Sequence, residues 1–409
     1  AGTFLGLSGL VLLDGARGFW FPIGYAAGYL LVLAFVAAVF CFGFLAIAGL
    51  GADALARTVL TGLKTGARIV AITVAIWNPF VAERLLQGHW SLLTGYAGLL
   101  WAVTCAYSLR VDGRGRLAWA GLALSLAAAA LTPTGGLIAL FGALVALVDR
   151  GRGFVITLTL GVVANLPWLV AAIGGSVASD PDAVPAFAAR AEPWLGTIGS
   201  LAGLGGIWNA EAVPAPRDTP FALVGTLILL GIVGIGVQQA FRAGVVAQRL
   251  AYVAGAAVVI PALLATSLGI TVLEIIVETV PGAGLLRDTQ KFVCLAVPFY
   301  VLAPAAGCRV VSRLQLPAPA KAAALVLVLL PLGWGAGGAH RPHCVHRRRG
   351  AAGDAAGRVH QRPDRADGAG FQHRAHALRV YPAAAPGPAA GAVHRPAPCN
   401  VALQRRGPG

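Results

Sequence analysis

The chain has 409 residues, 57% of them hydrophobic and only 11% charged, with a mean hydropathy of +0.77. A soluble domain carries about 25% charged residues, so this composition does not supply a water-facing surface, and lipid is the solvent it fits. The formal charge of +15 does not point to nucleic acid, because residues 339–409 hold 12 Arg against 3 Asp and carry most of it.

In chain order, residues 1–13 are apolar with no basic run before them. They read as the end of a helix and not as a cleavable signal peptide. The chain contains no Met, and the expectation is that its own start lies upstream. Apolar runs of membrane length follow at roughly 24–50, 60–78, 90–108, 117–131, 134–148, 153–173, 221–241, 249–269, 289–307 and 321–338, each reaching or approaching the ~20 residues that cross the hydrocarbon. The expected fold is all-α: a polytopic transmembrane bundle of about 10–11 helices over residues 1–338, with a long outer loop near 174–220. Gly24-Tyr25-Ala26-Ala27-Gly28 is a GxxxG suited to helix packing.

Loop charge sets the orientation. Arg110, Arg114 and Arg116, then Arg150 and Arg152, Arg242 and Arg249, and Arg309 and Arg313 occupy short loops that belong on the cytoplasmic side. All four loops share one side only if 117–148 is a two-helix hairpin broken at Thr132-Pro133-Thr134-Gly135-Gly136. The same parity puts 79–89, 174–220 and 270–288 outside. The long loop, with Asp180, Asp182, Glu192, Glu211 and Asp218 against Arg190 and Arg217, has the acidic balance of that side. Trp20, Trp77, Trp90, Trp119 and Trp168 fall near predicted helix ends, at interfacial depth. The place of the protein is thus a cell membrane, with membrane lipids as its surroundings.

Beyond Gly338 the composition switches to Arg, Ala, Gly, Pro and His, with seven of the eight His residues and no Lys, Glu, Ile or Trp. Residues 339–409 read as a disordered tail, of the kind a GC-rich gene yields when translated out of frame. Cys41, Cys105, Cys294 and Cys308 sit in or beside apolar runs as small core residues, Cys344 and Cys399 lie in the tail, and no CxxC pair exists. His343, Cys344 and His346 have ligand-like spacing but no scaffold, so no metal and no cofactor is expected.

Among enzyme signatures, GxxxxGK[ST], HExxH and GxSxG are absent, and Gly203-Leu204-Gly205-Gly206 is a loop without the preceding strand that a nucleotide fingerprint needs. Three polar clusters stand out. In Trp77-Asn78-Pro79-Phe80-Val81-Ala82-Glu83-Arg84-Leu85-Leu86-Gln87-Gly88-His89-Trp90, Pro79 ends one helix and Asn78 caps a short interfacial one. Glu83, Arg84 and His89 then read either as a loop anchor or as a polar floor, with Arg84 on a phosphate and Glu83 or His89 handling protons. In Gly282-Ala283-Gly284-Leu285-Leu286-Arg287-Asp288-Thr289-Gln290-Lys291, Arg287 and Lys291 are spaced to share a helix face and grip an anion, while Asp288 is a cap or a functional acid. The outer loop offers Trp208 and Trp194 to stack on sugars, or to anchor at the interface, and Asn209 and Glu211 to bond hydroxyls. Glu274 and Glu278, one turn apart in an apolar stretch, need water or a partner.

These clusters resemble a family of uncharacterised multi-spanning proteins of high-GC actinobacteria, over about residues 70–330. That family is loosely similar to GT-C-type glycosyltransferases, which use polyprenyl-phosphate sugars on the outer face. The resemblance implies a catalytic acid in the first outer loop, where Asp14 is the acid in a comparable place. The following Gly15-Ala16-Arg17-Gly18-Phe19-Trp20 is short for a catalytic loop, so the expected helix and loop belong to a missing N-terminal portion. It implies Asp14 and Glu83 as catalytic groups, and Arg84, Arg287 and Lys291 on the lipid phosphate of a polyprenyl-phosphate sugar donor. The alternative readings are a transporter or flippase of envelope precursors, and a non-catalytic membrane scaffold.

Overall fold

A computed structural model describes residues 42–112, 115–174, 180–314 and 317. Asp14, the GxxxG at 24–28, Trp20, the predicted 321–338 span, the 339–409 tail and its His343, Cys344 and His346 lie outside the described residues. The described chain is all helical: a polytopic bundle, and the protein is a multi-pass membrane protein of the kind a bacterial plasma membrane holds. Seven helices have the length and apolar character to cross a bilayer, and two shorter apolar ones accompany them.

The first described helix, α1 (Phe42–Val59), runs past the predicted end at Leu50. Asp53 does not stop it, because its buried carboxylate accepts from Arg57 Nε at 3.0 Å and from Arg68 Nε at 2.7 Å. Arg68 lies on α2 (Thr65–Ile76), so a charge that burial alone would disfavour becomes a clasp between two helices. Helix α3 (Pro79–Leu86) follows at once, then α4 (Trp90–Asp112).

The predicted hairpin is present as α5 (Arg116–Ala129) and α6 (Pro133–Leu147), with Thr132 capping α6 through Gly135 N at 3.1 Å. At ~1.5 Å per residue these helices span only about 21–22 Å, less than the hydrocarbon thickness. They pack on α4, the most enclosed of the long helices together with the 289–313 segment. The contact is close because a Cβ on Gly95 of α4 would lie 2.5 Å from the Gly135 Cα. Outside them, α7 (Gly151–Gly174) turns Val155, Val163, Leu166 and Val170 outward to lipid.

The second half contains α8 (Gly196–Ala202), α9 (Phe221–Phe241), α10 (Val245–Leu264) and α12 (Val297–Arg313). Helices α9 and α12 cross at Gly236, where any side chain would collide with the carbonyl of Ala303. The stretch 270–288, read as an outer segment, begins within α11 (Ser267–Thr279), capped by the Thr266 side chain accepting from Gly269 N at 3.2 Å. This helix buries Gly269, Leu273 and Val277 and leaves Glu278 exposed and Glu274 part-exposed. The predicted 289–307 helix starts as a 3-10 segment, Thr289–Ala296. Pro298 has no N–H to donate four residues back to Cys294, which explains why the α-register is established only from Val297.

The basic loops gather at one end. Asp149, after α6, accepts from Arg110 at the end of α4 and from Arg249 near the start of α10, the latter at 3.0 Å. Arg309 of α12 donates to the Thr61 carbonyl in the α1–α2 turn. This is the end whose basic loops were expected on the cytoplasmic side, and α3, the 180–220 loop and 283–296 lie at the other.

Candidate functional site

The site starts with a cap. Asn78 Oδ1 accepts from Val81 N at 3.1 Å, and Pro79 opens α3 without wasting a donor. Asn78 Nδ2 donates to Val74 O at 2.9 Å, which ties α3 back to α2, while Tyr96 OH donates to Ala75 O at 2.6 Å and brings in α4. The expected cap is therefore present, and Phe80, Val81, Ala82, Glu83 and Arg84 are all buried. The polar groups read as a floor form a cluster enclosed by the protein.

Arg84 is 0% exposed and sits at the centre. Its Nη1 reaches Asp288 Oδ2 at 3.3 Å and His89 Nδ1 at 3.0 Å, and its Nη2 donates to Gln290 Oε1. A guanidinium only donates, so His89 Nδ1 is the acceptor and its proton resides on Nε2. Burial first, then the Arg84 and Lys291 charges, push the His89 imidazole down to about 4, with Asp288 pulling the other way. His89 is therefore neutral at pH 7.

Glu83, also 0% exposed, uses Oε2 to accept from Ile207 N at 3.3 Å and Gln290 Nε2 at 3.4 Å. Gln290 Nε2 also donates to Gly205 O at 3.1 Å. Three distant segments of the sequence, 83–89, 205–207 and 288–291, thus close on one another. Among the described residues, Glu83 Oε1, Arg84 Nε and Asp288 Oδ1 have no hydrogen-bond partner although buried.

The pairing expected of Arg287 and Lys291 does not form. No α-helix spans them, since Arg287 ends one 3-10 turn and Lys291 lies in the next. The three-residue period brings Lys291 Nζ to Asp288 Oδ2 at 3.4 Å instead. Asp288 makes no capping bond with its side chain, which serves Arg84 and Lys291. Arg287 stacks on Phe187, its Cζ 4.4 Å from the ring centroid, and Phe187 in turn packs edge-on against Trp208 at 4.7 Å.

The loop wall is held partly by a pair, Glu192 and Arg217, that sequence reasoning did not select as site residues. Arg217 Nε donates to both Glu192 oxygens at 2.9 and 3.0 Å, and the pair is buried. Gly205 lies against it, where a Cβ would meet Glu192 Oε1 at 2.6 Å. Asn209 caps the turn Ala210–Ala212 and donates from Nδ2 to Gln87 Oε1 at 2.7 Å. Glu211 is exposed, and Trp194 is 62% exposed. Buried nitrogens of Arg190 (Nε, Nη2) and Trp208 (Nε1) have no acceptor among the described residues.

Compared with family models, curated proteins and solved structures, the chain has no match.

Beside the cluster runs an apolar groove of roughly 520 Å³ between α6, α10, α11 and the 3-10 segments, lined by Leu137, Phe141, Val253, Ile260, Phe292 and Leu295 among others. Its wall includes Thr289, whose chain neighbours Asp288 and Gln290 belong to the polar cluster. From Val253 to Leu264 it follows α10 for about 16 Å. A second apolar recess of roughly 420 Å³ shares Phe141, Leu144 and Val253 and extends to Arg249 at the basic end. Among the described residues no group of three or more His, Cys, Asp or Glu side chains is placed to hold a metal ion.

Proposed function

We propose that the protein binds a lipid-linked phosphate at its non-cytoplasmic end, and that sugar transfer of the GT-C type is the reaction it serves. The observation that carries the reading is the junction at Thr289: it lines an apolar groove of tail dimensions, and its chain neighbours Asp288 and Gln290 pair with Arg84, with Lys291 on Asp288. An isoprenoid chain matches the groove, and its phosphate matches the rim. Lys291 is the accessible cation there, its side chain 24% exposed. Arg287 stacks on Phe187, and Arg190, whose backbone N–H donates to Gly206 O at 3.0 Å, has buried side-chain donors without an acceptor among the described residues.

In the transfer step an acceptor hydroxyl attacks the anomeric carbon of the lipid-linked sugar. The new C–O bond forms as the bond to the lipid phosphate breaks, the phosphate leaves with the electron pair, and the hydroxyl proton passes to a base. Lys291 and Arg84 stabilise the charge that grows on the leaving phosphate. Asp14 is the acid that the resemblance offers as base. Glu83 is enclosed and engaged with Ile207 and Gln290, so we assign it the positioning of the loop wall. The apolar lining between Thr289 and Arg249 suits a tail and offers no polar path for a head group, which favours this reading over a flippase.

The test is retention of polyprenyl phosphate against neutral polyprenol by the full protein in detergent, read by native mass spectrometry. The phosphate should be retained preferentially, and Lys291→Gln should abolish the preference while leaving polyprenol unaffected. Equal retention of the two lipids by the unmodified protein would refute the proposal.

A further inference from the structure

A second concave site lies at the opposite end of the bundle. It is a recess of roughly 620 Å³ lined by Leu109, Arg110, Trp119, Leu147, Arg150, Arg152, Gly153 and Ile156. Four helices contribute to it or border it: the end of α4, the start of α5, the end of α6 and the start of α7.

Its charges are not balanced. Asp149 is the acid at the rim, and it is already shared. Arg110 Nη2 donates to Oδ2 at 2.7 Å with Nη1 on the other oxygen, and Arg249 Nη1 donates to Oδ1 at 3.0 Å. Arg150 and Arg152 are exposed, and their side chains have no hydrogen bond or ion pair among the described residues. Two free guanidiniums therefore face the recess beside a third that is fixed in place by its acid.

The remaining lining is apolar. From Gly151 to Ile156 the wall runs about 8 Å along α7, from the charged border toward the apolar middle of the helix. Ile156, 37% exposed, and the part-exposed Trp119 ring are the apolar groups open to methylenes, while Leu109 and Leu147 back the wall from the core. Arg is suited to a phosphodiester because its planar fork donates two parallel bonds to neighbouring oxygens.

We infer that this recess binds the head group of an anionic phospholipid from the cytoplasmic leaflet, with Arg150 and Arg152 on the phosphate and Trp119 and Ile156 against the first part of the chains. The lipid is chosen over a soluble phosphate by the apolar half of the wall, which a free anion would leave unused. This site shares no residue with the polar cluster, so the two assignments stand or fall separately.

The experiment uses the full protein in nanodiscs of phosphatidylcholine doped with phosphatidylglycerol, with bound lipid counted after extraction into detergent. Phosphatidylglycerol should be enriched over phosphatidylcholine, and Arg150→Gln with Arg152→Gln should weaken that enrichment roughly tenfold. The control pair Arg242→Gln with Arg313→Gln removes the same charge from the same border elsewhere and should leave enrichment within about twofold. An equal loss in both double variants would show mere attraction of a basic surface and would overturn the site. Full displacement by millimolar inorganic phosphate would overturn it as well. Should the Arg150/Arg152 variant fail to fold, Ile156→Trp, which fills the apolar wall, is expected to reduce enrichment, and unchanged enrichment there contradicts the inference.

Discussion

Arg84 carries its guanidinium without contact with water, so Asp288, Gln290 and His89 answer donors that burial would otherwise strand. Replacing it by Met leaves Asp288 with Lys291 alone and the Gln290 Oε1 without a donor, and should cost about 3 kcal/mol of stability, read as a lowered unfolding temperature. Lys at this position retains charge but not the fork, and should recover only part of the loss. His89 gives a pH signature. Its folded-state value lies below that of the unfolded chain, which binds the proton first, so stability should fall as pH drops from about 6.5 towards about 4. The charged groups around it are Arg84, Lys291 and Asp288. His89→Gln should flatten the unfolding temperature across that window, and an unchanged slope would remove His89 as its origin. Arg84, His89, Asp288 and Lys291 were legible in the sequence because a charge in an apolar chain needs a reason. Gln290 was not, since a neutral amide gives no such signal although it bridges all three segments. The Glu192–Arg217 pair was hidden because its partners are set by the path of a loop, which spacing does not encode.

Helix contacts in lipid depend on close approach, because lipid tails are as apolar as the helices themselves. Gly236 is where α9 meets the backbone of α12. Gly236→Ala must push the pair apart, and should destabilise the protein by about 1–3 kcal/mol. The comparison is Gly231→Ala on the same helix, which meets open space and should be neutral or slightly stabilising in thermal unfolding. The hairpin α5–α6 was legible from loop charge and the Thr-Pro break. Helix α11 was not: a 13-residue helix is too short for the membrane-length pattern. The 3-10 start at Thr289 was also missed, since apolar composition does not distinguish helical pitch, and that error misplaced Lys291 relative to Arg287.

Across the whole molecule the two ends differ in chemistry. One end gathers Arg residues around Asp149, whose carboxyl is held well below the usual carboxylate range by hydrogen bonds from Arg110 and then Arg249. The other folds a long loop over a buried polar cluster. Between them a crevice along α6 and α10 is apolar from Thr289 until it reaches Arg249. The multi-pass architecture was legible because hydropathy and loop charge are properties of whole segments. The crevice was not, because it arises from how short helices α6 and α11 pack beside α10. The central claim is that a lipid tail occupies this crevice with its phosphate at the Thr289 junction. The most direct measurement is photocrosslinking with a polyprenyl phosphate carrying a diazirine in its tail, followed by peptide mapping. Labels should concentrate on 137–144 and 253–264 and be displaced by excess unlabelled polyprenyl phosphate. Labels spread over the lipid-facing side of α7, with no displacement, would contradict the account.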